Sequence, residues 1–260
     1  MSVYKRLIKK TYESEKIADY YGHLDFLLKP EQTILNEFKE KLKNMKMLDI
    51  GVGGGRTTYF FSNLVKEYTA IDFSKKMIDI CKIRFPKLKD NFLVRDVREL
   101  YGLPDNYFDF ILFSFNGIDC LFEHDQRMKA FYEIKRVCKK GGYFCFSAHN
   151  LLGIDKLLKI KPSSNPFKIL KRKTKAFLIK ILNEDFKKLK QKEYAVIMEI
   201  VHRSFLKTYY VKPLEQLRQL KEVGFTNVRL FSFEDGKEIK DVSLLNNLDE
   251  LFVYYLCEVN

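Results

Sequence analysis

The sequence predicts a doubly wound α/β fold, in which helices cover both faces of a mostly parallel sheet. The first observation is that short apolar segments alternate with helical patterns over residues 46–147, which favours parallel pairing through right-handed crossovers. The second is residues 107–115, a nearly continuous apolar run typical of a strand buried on both faces. Five strands in this part of the chain and two closing strands at residues 227–233 and 251–258 give a predicted sheet of seven strands.

Length and composition suit a single domain with an insertion. The chain has 260 residues and a formal net charge of +13. Residues 156–192 hold thirteen Lys and Arg against two acidic residues, so this segment alone carries +11. Its apolar residues recur at roughly helical spacing, and we predict one or two amphipathic helices over residues 165–192. The basic character therefore belongs to one element.

The N-terminal sequence and the cysteines indicate a cytoplasmic protein. The first ten residues are basic but no apolar run follows them, so they do not form a secretory signal, and no apolar run is long enough to span a bilayer. The five cysteines are scattered and form no C-x-x-C pair, which is typical of buried thiols in a reducing compartment. No cluster of carboxylates and histidines has convincing metal spacing, so we predict no metal.

A glycine turn follows the first predicted strand. Gly51, Gly53, Gly54 and Gly55 lie between that strand and a helix predicted to begin at Thr57. Glycines allow a tight turn and close approach of a ligand, and the first amides of a helix can face an anionic group. This order predicts a nucleotide-type cofactor site, although such turns also serve as simple connections. The dinucleotide fingerprint requires a further glycine where Arg56 stands.

Acidic residues follow the next two strands. Asp72 ends the second strand, and Ser74 is a suitable N-cap for a helix to about Arg84. At the carboxyl edge of a parallel sheet, Asp72 can accept both hydroxyls of a ribose, or it can merely cap the helix. Asp96 follows the third strand, where it serves either a ligand or a surface turn.

The stretch Leu48 to Arg56 resembles the first motif of the class I S-adenosylmethionine-dependent methyltransferases, of the small-molecule type with a methyltransferase type 11/25-like domain. The resemblance extends over about residues 15–150 and 205–260 and implies a Rossmann-like sheet with S-adenosyl-L-methionine as cofactor. It implies an adenine contact for Asp96. Asp72 is the candidate for the ribose contact, and Arg56 is the candidate partner of the methionyl carboxylate, with a surface salt bridge as the alternative. The full set of predicted cofactor-binding residues is Asp49, Gly51, Gly53, Gly55, Arg56, Asp72, Phe73, Met77, Asp96, Val97, Ser114, Asn116 and Tyr21.

The same resemblance divides the chain into four parts. Residues 1–44 are predicted as an N-terminal helical lid, 45–150 as the cofactor-binding core, 151–204 as a basic insert or substrate lid, and 205–260 as the C-terminal part of the core sheet. Residues 17–21 look similar to the helix that small-molecule methyltransferases place over the cofactor. The alternative is that Tyr20 and Tyr21 simply pack against the sheet edge.

Methyl transfer from a sulfonium needs positioning of the acceptor, and it needs a general base only when the acceptor must lose a proton. His149 follows the fifth strand and is the best base candidate, with a packed or solvated histidine as the alternative. Asp119 and Tyr20 complete the catalytic candidates. The predicted substrate-binding residues are Tyr20, Asn116, His149, His202, Arg203, Tyr209 and Tyr210.

The leading functional hypothesis is O-methylation of a small anionic metabolite, such as a phosphorylated compound or a glycan precursor in a bacterial pathway, with the basic insert as the roof of the pocket. One alternative is an RNA or protein methyltransferase that docks through the insert. Against RNA, the insert has few exposed aromatics or arginines, and nucleic acid is not the expected partner. A second alternative is a non-catalytic cofactor-binding or interaction protein whose insert is a partner or membrane-surface helix. A dehydrogenase is the weakest interpretation.

Overall fold

The computed structural model describes residues 7, 10–202 and 204–260. Its centre is a parallel sheet built around β1 (Lys46–Ile50). On one side of β1 lie β2 (Glu67–Asp72) and β3 (Phe92–Val94), and on the other lie β4 (Phe108–Phe113) and β5 (Cys138–Asn150). All four pairings are parallel, as the alternation of strands and helices predicts.

The C-terminal strands extend this sheet in the antiparallel sense. β9 (Phe252–Val259) pairs with β5, and β8 (Phe225–Ser232) pairs with β9. These seven strands correspond to the predicted seven. Within the described residues the sheet nevertheless has nine strands, because β6 (Tyr194–Val201) and β7 (Ser204–Val211) form a hairpin that joins it. β7 pairs with the last residues of β5, His149 opposite Tyr210, beyond the point where β4 ends.

Helices cover both faces of the sheet. One face is packed by α5 (His124–Val137) and α8 (Pro213–Val223), with Phe131 and Ile134 in the core beside Phe144. The other face is packed by α2 (Lys29–Leu42) and α4 (Lys75–Arg84), whose buried apolar side chains include Phe38 and Ile78. Since α2 belongs to this core layer, α1 (Glu15–Gly22), which packs against α4, is the candidate lid helix among the elements with described bounds.

Two segments of the core are irregular. The helix predicted to begin at Thr57 is the short α3 (Thr58–Phe61), because Ser62 and Asn63 favour a turn and β2 already begins at Glu67. Helix α5 ends at Val137, and Gly141 and Gly142 lie within an irregular start of β5. Gly141, at a φ of 72°, marks the interruption before regular pairing with β4 resumes at Tyr143.

The insert after β5 has a small core of its own. It consists of a 3₁₀ segment (Leu151–Leu158), α6 (Pro166–Leu182), α7 (Phe186–Leu189) and the β6–β7 hairpin. Their shared apolar cluster is formed by Leu151, Ile154, Ile179, Phe186, Leu189, Ala195, Ile197 and Tyr210. Across the parts of the chain that are described, no helix combines the length and apolar character required to traverse a bilayer.

Candidate functional site

The glycine turn lies at the carboxyl end of β1 and touches the N-terminal part of the chain. Gly53 has a φ of 55°, a conformation that a side chain would strain. At Gly54, a Cβ atom would lie 2.5 Å from the backbone of Tyr21 and Gly22 at the end of α1. The turn therefore brings α1 into van der Waals contact with the sheet edge, and substitution of Gly54 would push the helix away.

Asp72 is hydrogen-bonded to this turn. Its Oδ2 accepts a hydrogen bond from the Gly53 amide at 2.9 Å, and its Oδ1 accepts one from the Ser74 amide at 2.8 Å. Burial raises the pKa of Asp72 to about 6, and the two amide hydrogen bonds counteract this shift only in part. Each carboxylate oxygen keeps capacity for a further donor. The carboxylate is thus held rigidly at the edge of a cavity.

This cavity has about 1180 Å³ of empty space, a volume that includes open solvent at its mouth. Three acidic residues line its wall, Asp72, Asp96 and Glu123, and the Asp96 carboxylate is bound by the guanidinium of Arg98. An apolar surface lies on the wall as well. Nine of the predicted cofactor-binding residues line the cavity, namely Tyr21, Gly51, Gly53, Asp72, Phe73, Met77, Asp96, Val97 and Ser114.

Arg56 has a different partner from the predicted one. Its guanidinium makes two hydrogen bonds of 2.6 Å to the carboxylate of Glu31, and it also contacts Ser114 Oγ at 3.0 Å. Both members of the ion pair are buried. Burial alone would raise the pKa of Glu31, but the hydrogen bonds from Arg56 hold it below its ordinary value. The structure therefore uses Arg56 to tie α2 to the glycine turn instead of leaving it for the methionyl carboxylate.

Asp49 and Gly55 also lie outside the cavity wall. Asp49 Oδ2 accepts hydrogen bonds from Thr57 Oγ1 at 2.6 Å and from the Tyr68 hydroxyl at 2.8 Å, so it braces the start of α3 against β2. Burial raises the pKa of Asp49 to about 6. Gly55 faces Phe85, which a Cβ atom would approach to 2.5 Å. Both residues support the glycine turn from behind.

Asn116 lies in the loop after β4, in the left-handed conformation with a φ of 59°. Its amide donates to Ser147 Oγ at 2.8 Å, and its side-chain Oδ1 is buried without a hydrogen-bond partner. The neighbouring Phe115 and Gly117 line the cavity, whereas Asn116 itself does not. The loop thus closes the cavity at the end of β4 and leaves one acceptor atom unused.

Asp119 and His149 form a buried pair beside this loop. Asp119 Oδ2 lies 2.7 Å from His149 Nδ1 and also accepts from the His149 amide at 2.7 Å. Asp119 Oδ1 accepts from Arg127 at 2.6 Å. On the other side of the imidazole, Nε2 lies 3.8 Å from the carboxylate of Glu199 in β6. The histidine is therefore held between two carboxylates, and Arg127 neutralises one of them.

The N-terminal aromatic residues meet the tip of the β6–β7 hairpin. The Tyr21 hydroxyl lies 3.2 Å from His202 Nε2, and the His202 ring also packs near Tyr20 and Tyr12. Burial lowers the pKa of His202, and the nearby charge of Lys175 acts in the same direction. Tyr21 and Tyr12 line the cavity, whereas Tyr20 is 55% exposed and does not. Arg203 lies outside the described residues.

The predicted substrate contacts of Tyr209 and Tyr210 are contradicted by burial. Tyr209 is enclosed beneath the hairpin, where its hydroxyl lies 2.9 Å from His124 Nδ1 and its ring stacks on the Arg127 guanidinium. Tyr210, also fully buried, donates to Glu199 at 3.0 Å. Adjacent residues of one strand point to opposite faces, so both tyrosines are used for packing between layers.

Sequence reasoning missed several residues of the wall. Tyr12 precedes the predicted lid motif, and Cys120 follows Asp119 in the loop after β4. Arg98, which binds Asp96, stands only two residues after it, so this pair was open to prediction as a local contact. No local pattern connects Tyr12 with Cys120, because they come together only when the N-terminal segment folds over the sheet. In the described part of the chain, no group of three or more His, Cys, Asp or Glu side chains could hold a metal ion.

Comparison with known proteins places this cavity in context. Residues 48–146 match the family described as a methyltransferase domain. An S-adenosylmethionine-dependent methyltransferase from Clostridium acetobutylicum ATCC 824 is similar in fold, with 16% identity, a TM-score of 0.64, and coverage of 94% of this chain and 98% of that chain. The CcbJ methyltransferase from Streptomyces caelestis is 14% identical, with a TM-score of 0.58 and coverage of 89% and 96%.

A further methyltransferase described as SAM-dependent, from Methanosarcina mazei, is 16% identical, with a TM-score of 0.55 and coverage of 91% and 99%. At these identities the likeness concerns the fold. No curated protein sequence matches the chain significantly.

Proposed function

We propose that this chain, whose residues 48–146 match a methyltransferase domain, is a class I S-adenosylmethionine-dependent methyltransferase that methylates an oxygen atom of a small acceptor, with His149 as the general base. The observation that carries the proposal is the Asp119–His149 pair: neither residue lines the cavity, but Asp119 stands between Gly117 and Cys120, which do. Methyl transfer as the reaction class is supported by the match to the methyltransferase domain. The nature of the acceptor and the identity of the general base are proposed from the geometry of the site.

The cavity fits S-adenosylmethionine. The glycine turn leaves room for a ligand against the backbone, Asp72 offers both oxygens to ribose hydroxyls, and Phe73, Met77 and Val97 offer an apolar surface to an adenine ring. Asp96, held by Arg98, lies on the same wall and can accept from an amino group. When bound there, the sulfonium supplies an activated methyl group, so the protein's remaining task is to place the acceptor and exclude water.

The contact between Tyr21 and His202 supports a small acceptor. It joins α1 to the hairpin tip, so two separate parts of the chain enclose the space beside the cofactor wall. A folded RNA or protein would have to separate them, whereas a small molecule needs only local opening. The negative charge of the acceptor remains a prediction from the sequence. Arg95 and Arg98 line the described cavity wall, but none of the lysines of the insert does.

The charges around His149 support its role as a base. Asp119 at Nδ1 fixes the tautomer that leaves Nε2 as the proton acceptor. The carboxylates of Asp119 and Glu199 lie at the two ring nitrogens, and Arg127 is paired with Asp119. Nearby carboxylates favour an imidazolium, which is the form that the ring takes after Nε2 accepts a proton from an acceptor hydroxyl.

The test is a screen of small hydroxyl and amine acceptors with isotopically labelled cofactor, followed by kinetics of His149→Ala on the best hydroxyl acceptor. Loss of a general base should lower kcat by about 10²–10⁴-fold while the dissociation constant of the cofactor stays unchanged. His124→Ala is the matched control, since His124 also lies within hydrogen-bond distance of a buried partner, Tyr209, but has no carboxylate at its other nitrogen. Unchanged kcat in His149→Ala, or transfer to amines alone, would contradict the proposal.

A further inference from the structure

Helix α6 has an unusual outer surface. Phe167, Leu170, Phe177 and Ile181 are 79%, 61%, 62% and 58% exposed. At about 100° per residue they fall within about 80° of the helix circumference, so they form one continuous apolar stripe. Single exposed apolar residues are ordinary, but an aligned stripe of four on one helix indicates a surface that contacts something apolar.

The opposite side of α6 is attached to the protein. Ile179 is fully buried in the cluster that includes Leu151 and Ile154. The Arg172 guanidinium donates to the carbonyls of Lys161 and Pro162 at 2.7 and 3.2 Å. The side of the helix that should face the core already does so, and the exposed stripe is a second apolar surface pointing outward.

The charge on this helix is entirely positive. Its seventeen residues include six basic side chains and no acidic one. In projection, Lys173 and Lys180 border the apolar stripe on one side, while Lys168, Lys171 and Lys175 border it on the other. An apolar stripe between two rows of cations is the pattern of a helix that lies in the plane of a bilayer surface.

We propose that α6 docks the protein on the surface of an anionic lipid bilayer, with the apolar stripe among the acyl chains and the bordering lysines at the lipid headgroups. Phosphate groups of RNA would meet the lysines but would leave Phe167 and Phe177 in water. A second copy of the chain would cover the apolar stripe but would bring two fully cationic helices together. Of these three, an anionic bilayer satisfies both features of the surface.

Co-sedimentation of the full chain with vesicles tests this proposal. We expect binding to vesicles of phosphatidylglycerol mixed with phosphatidylcholine, and little binding to phosphatidylcholine alone. The variant Lys168→Gln/Lys171→Gln/Lys175→Gln should bind the anionic vesicles roughly a hundredfold more weakly, at about fivefold per cation. Lys82→Gln/Lys87→Gln/Lys89→Gln, which removes three exposed lysines from another surface, should bind like the wild type.

A second variant separates lipid from other partners. Phe167→Ser/Leu170→Ser/Phe177→Ser changes only exposed side chains, so the fold should survive, and it should lose vesicle binding while keeping all six cations. The proposal would be overturned in favour of RNA if the wild-type protein does not bind anionic vesicles and if the wild type and the serine variant bind polyuridine equally. It would be overturned in favour of self-association if the wild-type protein does not bind the vesicles and is a dimer, while the serine variant is a monomer. Equal vesicle binding by the serine variant and the wild type would also overturn it.

Discussion

Replacement of Asp72 by asparagine is the sharpest test of the cofactor site. In the wild type, each carboxylate oxygen accepts a backbone amide, from Gly53 and from Ser74, and can still accept a ribose hydroxyl. In Asp72→Asn, one of the two oxygens becomes an NH₂ group that cannot accept. One ribose contact to a charged group is lost on binding, at about 1.5–3 kcal/mol. The backbone amide that then faces a donor does so in the free and the bound protein alike, so it lowers stability and leaves affinity unchanged. Cofactor affinity should therefore fall roughly 10–100-fold.

The pH dependence of affinity gives an independent readout of the same residue. Burial raises the pKa of Asp72 to about 6 in the free protein. Because ribose hydroxyls donate to the ionised carboxylate, protonation below about pH 6 weakens binding, by up to about tenfold per pH unit. Above that pH the affinity should be constant. Asp72→Asn carries no titrating group at this position and should show no such decline.

Calorimetric titration with S-adenosylhomocysteine between pH 5 and pH 8, a range about the pKa of Asp72, measures both effects. Asp49→Asn is the matched control, since burial raises the pKa of Asp49 to about 6 as well, but Asp49 lies behind the glycine turn and not on the cavity wall. That variant should keep the decline of affinity toward acid pH. Circular dichroism confirms that each variant is folded. Wild-type affinity in Asp72→Asn, or an identical acid decline in that variant, would refute the reasoning.

Two further predictions concern stability. Arg56→Met leaves the carboxylate of Glu31 buried without its partner and should lower the free energy of unfolding by about 3–5 kcal/mol, as measured by urea titration. The double variant Glu31→Met/Arg56→Met should recover much of this loss. Equal stability of the single variant and the wild type would contradict the prediction. For Asp49, the folded-state pKa of about 6 exceeds the ordinary 3.8, so the stability of the wild type relative to Asp49→Asn is greatest below about pH 4 and is lost as the pH rises through 6. The expected loss is about 3 kcal/mol between these limits, and a difference that does not change with pH would rule out a raised pKa.

Several elements were predictable because their signals are local. The five parallel strands and the glycine turn depend on apolar runs and on residues without a Cβ, both of which act within a few positions of the chain. Ser74 caps α4, and Asp72 ends β2 beside it, for the same reason. Asp72 and Asp96 reach one cavity because carboxyl ends of parallel strands meet at one edge.

Other assignments failed because they depend on partners that are distant in sequence. Arg56 was available to a carboxylate as predicted, but the carboxylate is that of Glu31, which α2 delivers from 25 positions upstream. Tyr209 and Tyr210 look like pocket residues in sequence, yet the pairing of β7 with β5 and β6 buries them. The continuation of the sheet into a hairpin is likewise a matter of tertiary pairing.

The sequence by itself determined the parallel α/β core, the acidic residues at the strand ends and the concentration of positive charge in one insert. Only the tertiary structure decided that α1 and the hairpin tip meet over the cavity through Tyr21 and His202, and that Asp119 and His149 form a pair. It also decided which side of α6 is buried, and so which apolar residues remain outside. The physical reason is that backbone propensity acts over a few residues, whereas the partners of a charge or an apolar face are set by packing of the whole chain.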